Sequence, residues 1–136
     1  MPKLIINLNI DDQLRNNFEE KIKNKNLLIE DYILELIKKD IESEISFNGY
    51  TFNLIYEKLF FENKEIKLTN IEMKLFKYLL NNANKLVSIE EINSNVWGNK
   101  KMTLFTLRNK INGIRNQTYY KLIKNVSNHG YIMIIE

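Results

Sequence analysis

The chain of 136 residues contains no cysteine and one histidine. The first absence excludes disulfides and thiolate chemistry and is compatible with a reducing interior. The second, with carboxylates scattered along the chain, argues against a metal site built from protein ligands. No apolar run approaches the roughly 20 residues that span a bilayer, and the N-terminus lacks the basic start and uninterrupted apolar region of a signal peptide. The expectation is a soluble, cytoplasmic protein. There is no glycine-rich phosphate loop and no Ser-His-Asp arrangement. Adjacent carboxylates occur at Asp11 and Asp12, Glu19 and Glu20, and Glu90 and Glu91, but neighbours on a helix or strand do not face each other. The chain is therefore read as a non-enzyme that needs no cofactor.

A further absence is local. Residues 92–135 contain Lys100, Lys101, Arg108, Lys110, Arg115, Lys121 and Lys124 and not one Asp or Glu. The net charge of +3 conceals this asymmetry. Residues 1–44 carry seven basic and ten acidic side chains, whereas residues 45–136 carry thirteen and seven. Asn, Ile and Lys are abundant throughout, as an A/T-rich coding sequence would produce, so the missing acids carry more information than any single lysine. An unopposed positive field of this length suggests a nucleic-acid surface.

What is present falls into two parts. At 44% hydrophobic, the chain suits one ordinary domain or two very small ones, each marginal without a partner, so oligomerisation is expected. Residues 3–10 alternate, with Leu4, Ile6, Leu8 and Ile10 on one face and Lys3, Ile5, Asn7 and Asn9 on the other, which is a strand pattern. Asp11 or Asp12 can cap a helix carrying Leu14, Phe18 and Ile22 that frays through Asn24, Lys25 and Asn26. A second helix begins near Ile29 and carries an apolar stripe of Ile29, Tyr32, Ile33, Leu36, Ile37 and Ile41. One strand and two short helices cannot close a core alone.

From residue 45 the pattern changes. Ile45 and Phe47, then Asn48-Gly49, then Tyr50 and Phe52 give a strong hairpin signal. Residues 54–61 continue it as a strand, a turn follows at 62–64, and Ile66 and Leu68 mark a further short strand. Thr69 and Glu72 form a capping box before Met73, Leu75, Phe76, Leu79 and Leu80, and that helix ends near Asn82. Ser88 and Glu91 repeat the device before Ile92, Val96 and Trp97, with Trp97 expected to pack on the core and Gly98 closing the helix. A third helix spans 103–116, and residues 123–135 read as a hairpin with its tip at Ser127, Asn128, His129 and Gly130. There is no proline- or serine-rich linker between the two parts.

The segments INLNIDDQL and DYILELI, in β-α-α order, resemble the ribbon-helix-helix family. That resemblance implies that residues 1–44 form a dimerisation module in which two chains pair their strands and interlock their helices. It nominates Lys3, Asn7 and Asn9 as a possible second DNA contact. Asn9 stands where a basic residue is common, and Glu30 and Asp31 open the second helix, so the balance of −3 over this segment favours dimerisation over DNA contact.

The succession LTNIEMKLFKYLL, VSIEEINSNVWG, TLRNKINGIRN and IKNVSNHGYIM resembles the DNA-binding effector domain of the OmpR/PhoB family, over nearly all of residues 45–136. The resemblance implies an α+β winged helix: an N-terminal antiparallel sheet, three helices and a C-terminal wing hairpin. Its third helix would enter a major groove of double-stranded DNA and its wing would lie against the adjacent minor groove or backbone. The family often places an Arg where Ser127 stands, which leaves His129, Lys121 and Lys124 to contact the backbone. A receiver domain with a phosphorylated Asp usually precedes such an effector, and the 44 residues present here are too few to form one. The expectation is a dimeric, sequence-specific transcriptional regulator without a receiver domain.

The third helix can be read on its own. At 100° per residue, Leu104, Leu107, Ile111 and Ile114 cluster on a buried side, and Phe105, Asn109, Asn112, Gly113 and Asn116 point the opposite way. Arg108 and Arg115 lie along one flank and Lys110 along the other. Asn bonds adenine in a bidentate manner and Phe105 suits a thymine methyl, while Arg and Lys suit phosphate or guanine, so an A/T-leaning site is expected. Gly113 costs about 1 kcal/mol relative to Ala in a helix, and close approach to DNA is one reason to tolerate it. The expected interface comprises Lys100, Lys101, Phe105, Thr106, Arg108, Asn109, Lys110, Asn112, Arg115, Asn116, Lys121, Lys124, Ser127, Asn128 and His129. Two other classes remain open. An antitoxin-like protein would have another protein as its main partner and bind DNA for autoregulation. A basic module on an anionic membrane fits less well, because the cationic helix lacks a large apolar outer face.

Overall fold

The computed structural model describes residues 5–25, 28–98 and 100–136. The chain divides after Glu42 into two compact units.

In the first unit, residues 5–10 form no strand. Ile5, Ile6, Leu8 and Ile10 are all exposed. A strand exists only when its backbone N–H and C=O groups find a neighbouring strand, and among the described residues no strand pairs with this segment. Lys3, Leu4 and Asn26 lie outside the described residues. Asp11 is the helix cap, its Oδ1 accepting the Leu14 N–H at 2.7 Å. Helix α1 (Asp12–Lys25) follows, helical through Asn24 and Lys25 where fraying was expected, and then α2 (Ile29–Glu42). The two helices meet through Phe18 and Tyr32, whose ring centroids are 5.4 Å apart. Only Ile22 and Tyr32 are buried among the described residues of this unit. Most of the apolar stripe of α2, including Ile29, Leu36, Ile37 and Ile41, faces solvent.

The second unit starts with a four-stranded antiparallel meander: β1 (Glu44–Phe47), β2 (Tyr50–Asn53), β3 (Lys58–Phe61) and β4 (Lys64–Ile66), adjacent in that order. Asn48 and Gly49 turn the first hairpin with φ of 47° and 84°, the left-handed pair that matches strand twist. The strand expected over 54–61 starts only at Lys58. The reason is Asn53, a buried side chain whose Oδ1 accepts the N–H groups of Ile55 and Tyr56, each at 2.9 Å, and so folds 54–57 into a turn.

Helix α3 (Asn70–Asn81) opens with the complete capping box. Thr69 Oγ1 accepts the Glu72 N–H at 3.4 Å, and Glu72 Oε1 accepts the Thr69 N–H at 2.9 Å. Strand β5 (Val87–Ser88) leads into α4 (Ile89–Ile92), capped by Ser88 Oγ on the Glu91 N–H at 3.1 Å. The helix continues as a π-helical turn over Asn93–Trp97 before Gly98 ends it. Helix α5 (Leu104–Gln117), a 3-10 turn at Tyr120–Leu122, β6 (Ile123–Val126) and β7 (Gly130–Met133) complete the chain. A second sheet has the order β5-β7-β6.

One core joins these elements. Phe52 and Leu59 of the meander, Leu75, Phe76 and Leu79 of α3, Ile92 of α4, Leu107, Ile111 and Ile114 of α5, and Ile123 and Met133 of the hairpin are all essentially inaccessible. Trp97 packs against this core half-buried. Phe52 meets Phe76 edge-on with centroids 5.3 Å apart. Each such side chain contributes about 1.5–3 kcal/mol on leaving water. The consequence for function is a firm platform under α5 and the β6–β7 hairpin. At one corner, burial and the neighbouring Tyr119 push the Tyr50 phenol above its ordinary pKa of 10.0. No helix among the described residues is long and apolar enough to cross a membrane.

Candidate nucleic-acid interface

Helix α5 is started by Thr103, whose Oγ1 accepts the Thr106 N–H at 3.0 Å. Three apolar residues, Leu107, Ile111 and Ile114, anchor it to the core. Leu104, assigned to that buried side from periodicity, is half exposed instead. It lies in the first turn, before the helix meets the core. The opposite stripe, Phe105, Asn109, Asn112 and Asn116, is exposed to solvent. Phe105 is 73% exposed, a cost no core contact offsets. Arg108 is exposed beside this stripe, whereas Lys110 and Thr106 are half-buried and the Thr106 hydroxyl lies 2.9 Å from that of Thr103.

Two residues stand differently from expectation. Gly113 does not lie on the presented face. A Cβ at this position would collide with the Glu72 carboxylate, so Gly113 faces the start of α3 and makes room for that side chain. Arg115 is half-buried and its guanidinium is engaged within the chain. Its Nε donates to the Ile123 carbonyl at 3.2 Å, its Nη2 donates to the same oxygen, and its Nη1 donates to Asn112 Oδ1 at 3.4 Å.

The hairpin brings the remaining cations alongside. Lys121, Lys124, Ser127, Asn128 and His129 are exposed, as are Lys100 and Lys101 ahead of α5. The tip is a tight turn in which the His129 N–H donates to Val126 O at 2.9 Å and Asn128 takes a φ of 63°. Gly130 is fixed by proximity, since a Cβ there would strike the Val87 carbonyl of β5. That two-residue strand had no periodicity by which the sequence could announce it. A polar cleft lined by Arg108, Ile111, Asn112, Arg115, Asn125 and Tyr131 runs between α5 and the hairpin.

The electrostatics match the composition. Ion pairs among the described residues link Arg15 with Glu19, Lys58 and Lys67 with Glu65, and Lys77 with Glu57, all outside residues 92–135. Lys67 holds the Glu65 carboxyl below its ordinary range, first by hydrogen bonding. None of these pairs among the described residues involves a cation of α5 or the hairpin. No group of three or more His, Asp or Glu residues gathers to hold a metal among the described residues. The surface presents donors, positive charge and one apolar ring, which is chemistry for binding an anionic, base-bearing polymer.

A three-helix unit with a preceding sheet and a C-terminal hairpin beside its last helix is a winged helix. Residues 63–133 match the family described as "Transcriptional regulatory protein, C terminal". The match takes in more than half of the chain, and the chain belongs to this family. The DNA-binding domain of CpxR from E. coli superposes with a TM-score of 0.60 at 21% identity, over 68% of this chain and 96% of that one. The Klebsiella pneumoniae RstA DNA-binding domain, solved in complex with the RstA box, gives 0.60 at 18% identity, over 67% and 96%. The response regulator DrrB, a Thermotoga maritima OmpR/PhoB homolog, gives 0.62 at 20%, over 79% of this chain and 53% of that one. At these identities the likeness is one of fold. No curated protein matches the chain in sequence.

Proposed function

We propose that this protein is a sequence-specific double-stranded DNA-binding transcriptional regulator that works as a homodimer. The observation that carries this is the exposed face of α5: Phe105, Asn109, Asn112 and Asn116 flanked by Arg108, with no acid from residue 92 to 135. Asn109, Asn112 and Asn116 read adenines and Phe105 meets thymine methyls, giving an A/T-leaning site. Arg108 takes guanine or phosphate. Lys100, Lys101, Lys110, Lys121, Lys124 and the wing tip at Ser127, Asn128 and His129 hold the backbone. The RstA DNA-binding domain, similar to this chain in fold and solved in complex with the RstA box, supports DNA binding as the reading of this fold.

Dimerisation is assigned to residues 1–44. Ile6, Leu8 and Ile10 and the α2 face of Leu36, Ile37 and Ile41 are apolar and exposed, and a second copy would cover both. Strand pairing between two copies would also satisfy the backbone of residues 5–10, with Asn7 and Asn9 (and Lys3) on its outer face as a possible second DNA contact. Two joined winged helices gain affinity from effective concentration. The same exposed α2 face supports a second reading, in which a different protein docks there and DNA binding is autoregulatory.

The test is selection of duplexes from a random pool by the full chain. Enrichment of two A/T-leaning half-sites at fixed spacing is expected, with affinity falling steeply as salt rises. A pool that remains random would overturn the proposal. Light scattering at micromolar concentration should give twice the chain mass; a monomer would remove the dimer, and a co-purifying small protein would favour the second reading.

A further inference from the structure

We infer that Arg115 is a positioning residue that latches the wing to the reading helix, and not one of the side chains that reach DNA. This rests on the reading of α5 and the β6–β7 hairpin as one DNA-binding surface. Arginine has five N–H donors in a rigid planar fork and no acceptor. Here the Nε and Nη2 edge of that fork is occupied by one carbonyl oxygen, that of Ile123, and Nη1 is turned to Asn112 Oδ1. The guanidinium plane is also covered, its carbon lying 4.4 Å from the centroid of the Tyr120 ring. The side chain is thus held on an edge, at a tip and on a face, and is half-buried where Arg108 one helical stretch earlier is exposed.

The partners explain what is held. Ile123 is the first residue of β6, and β6 is at the edge of the β5-β7-β6 sheet, paired among the described residues only with β7. Carbonyls on the free edge of a sheet lack ladder partners. Arg115 supplies donors to one from the last turn of α5, and Tyr120 stacks on it from the 3-10 turn that joins helix to hairpin. One side chain therefore ties together the end of the reading helix, the connection and the root of the wing. Asn112, on the presented stripe, is oriented by the same group and still offers its amide N–H groups and a second lone pair to a base.

Hydrogen exchange on the free full chain tests the latch without DNA, so its outcome is separate from that of the functional reading. In Arg115→Ala, amides of Lys124, Val126, Tyr131 and Ile132 should exchange faster by on the order of tenfold, the loss of a charged hydrogen bond. Those of α3 and β1 to β3 should keep their rates. Arg115→Lys should behave like Arg115→Ala, because an ammonium has no planar fork to share between carbonyl, amide and ring. On a selected duplex the two variants should lose affinity equally. Wing amides exchanging at wild-type rates would overturn the inference, as would uniform acceleration across the domain. So would Arg115→Lys binding the duplex like the wild type, since retained charge would then suffice.

Discussion

The two units use the same kinds of residue to opposite ends. In the first, α1 and α2 bury Ile22 and Tyr32 while Ile5, Ile6, Leu8, Ile10, Leu14, Leu28, Ile29, Leu34, Leu36, Ile37 and Ile41 remain exposed. In the second, eighteen side chains form one continuous buried cluster and the exposed face is polar and basic. Two helices can close around a pair of residues but cannot build a core, so the first unit leaves most of its apolar surface uncovered. The second unit has solved its packing internally and can spend its surface on a ligand. Apolar exposure in one region and cationic exposure in the other are the basis for the two partners proposed above: a second copy for the first unit, duplex DNA for the second.

Substitutions can break or sharpen that contrast. The largest effect is expected from the core of the second unit, where Phe76→Ala should cost about 3–5 kcal/mol in denaturant unfolding, against less than about 0.5 kcal/mol for Leu36→Ala measured on the monomer. Equal costs would erase the distinction. Ile37→Glu should convert the proposed dimer to a monomer by sedimentation and weaken binding to a two-half-site duplex by about 10²- to 10⁴-fold, with the second unit's unfolding unchanged. Arg108→Ala should weaken duplex binding by about 1–3 kcal/mol if its contact is bidentate, with no change in oligomeric state.

Smaller effects probe the joint between α3 and α5. Glu72→Ala should lose about 1 kcal/mol of capping. Gly113→Ala gains about 1 kcal/mol of helix propensity but displaces the same carboxylate, so in the wild type the two nearly cancel. In the Glu72→Ala background the gain should appear in full, and additive changes would refute the contact. The smallest effect is alkaline. The Tyr50 phenol is raised in the folded state, so the stability it contributes is present below the ordinary tyrosine pKa and lost as pH rises past it. Tyr50→Phe should flatten that decline in thermal melts above pH 10.

Much of this architecture is legible before any coordinates. Asn48-Gly49, the Thr69 and Glu72 box, the Ser88 cap and the Leu107, Ile111 and Ile114 spacing are local signals whose physics is complete within a few residues, and each appears where expected. What the sequence hides depends on distant neighbours. Strand β5 exists because β7 pairs with it. The turn after Asn53 interrupts a strand-like run because one side chain captures two backbone donors. Gly113 and Arg115 sit at helical positions that periodicity places near the presented face, yet Glu72 and Ile123 claim them. Residues 5–10 alternate like a strand and form none, because no strand among the described residues pairs with them.

The central claim is that the acid-free face of α5 and the wing binds duplex DNA. It is tested most directly by titrating the isotopically labelled full chain with a selected duplex and following every backbone amide by NMR. The largest shift changes are predicted at Phe105, Arg108, Asn109, Asn112 and Asn116, with a second group at Lys124 and His129. Shifts confined to residues 5–42 or to the β1–β4 meander, with α5 silent, would contradict the account.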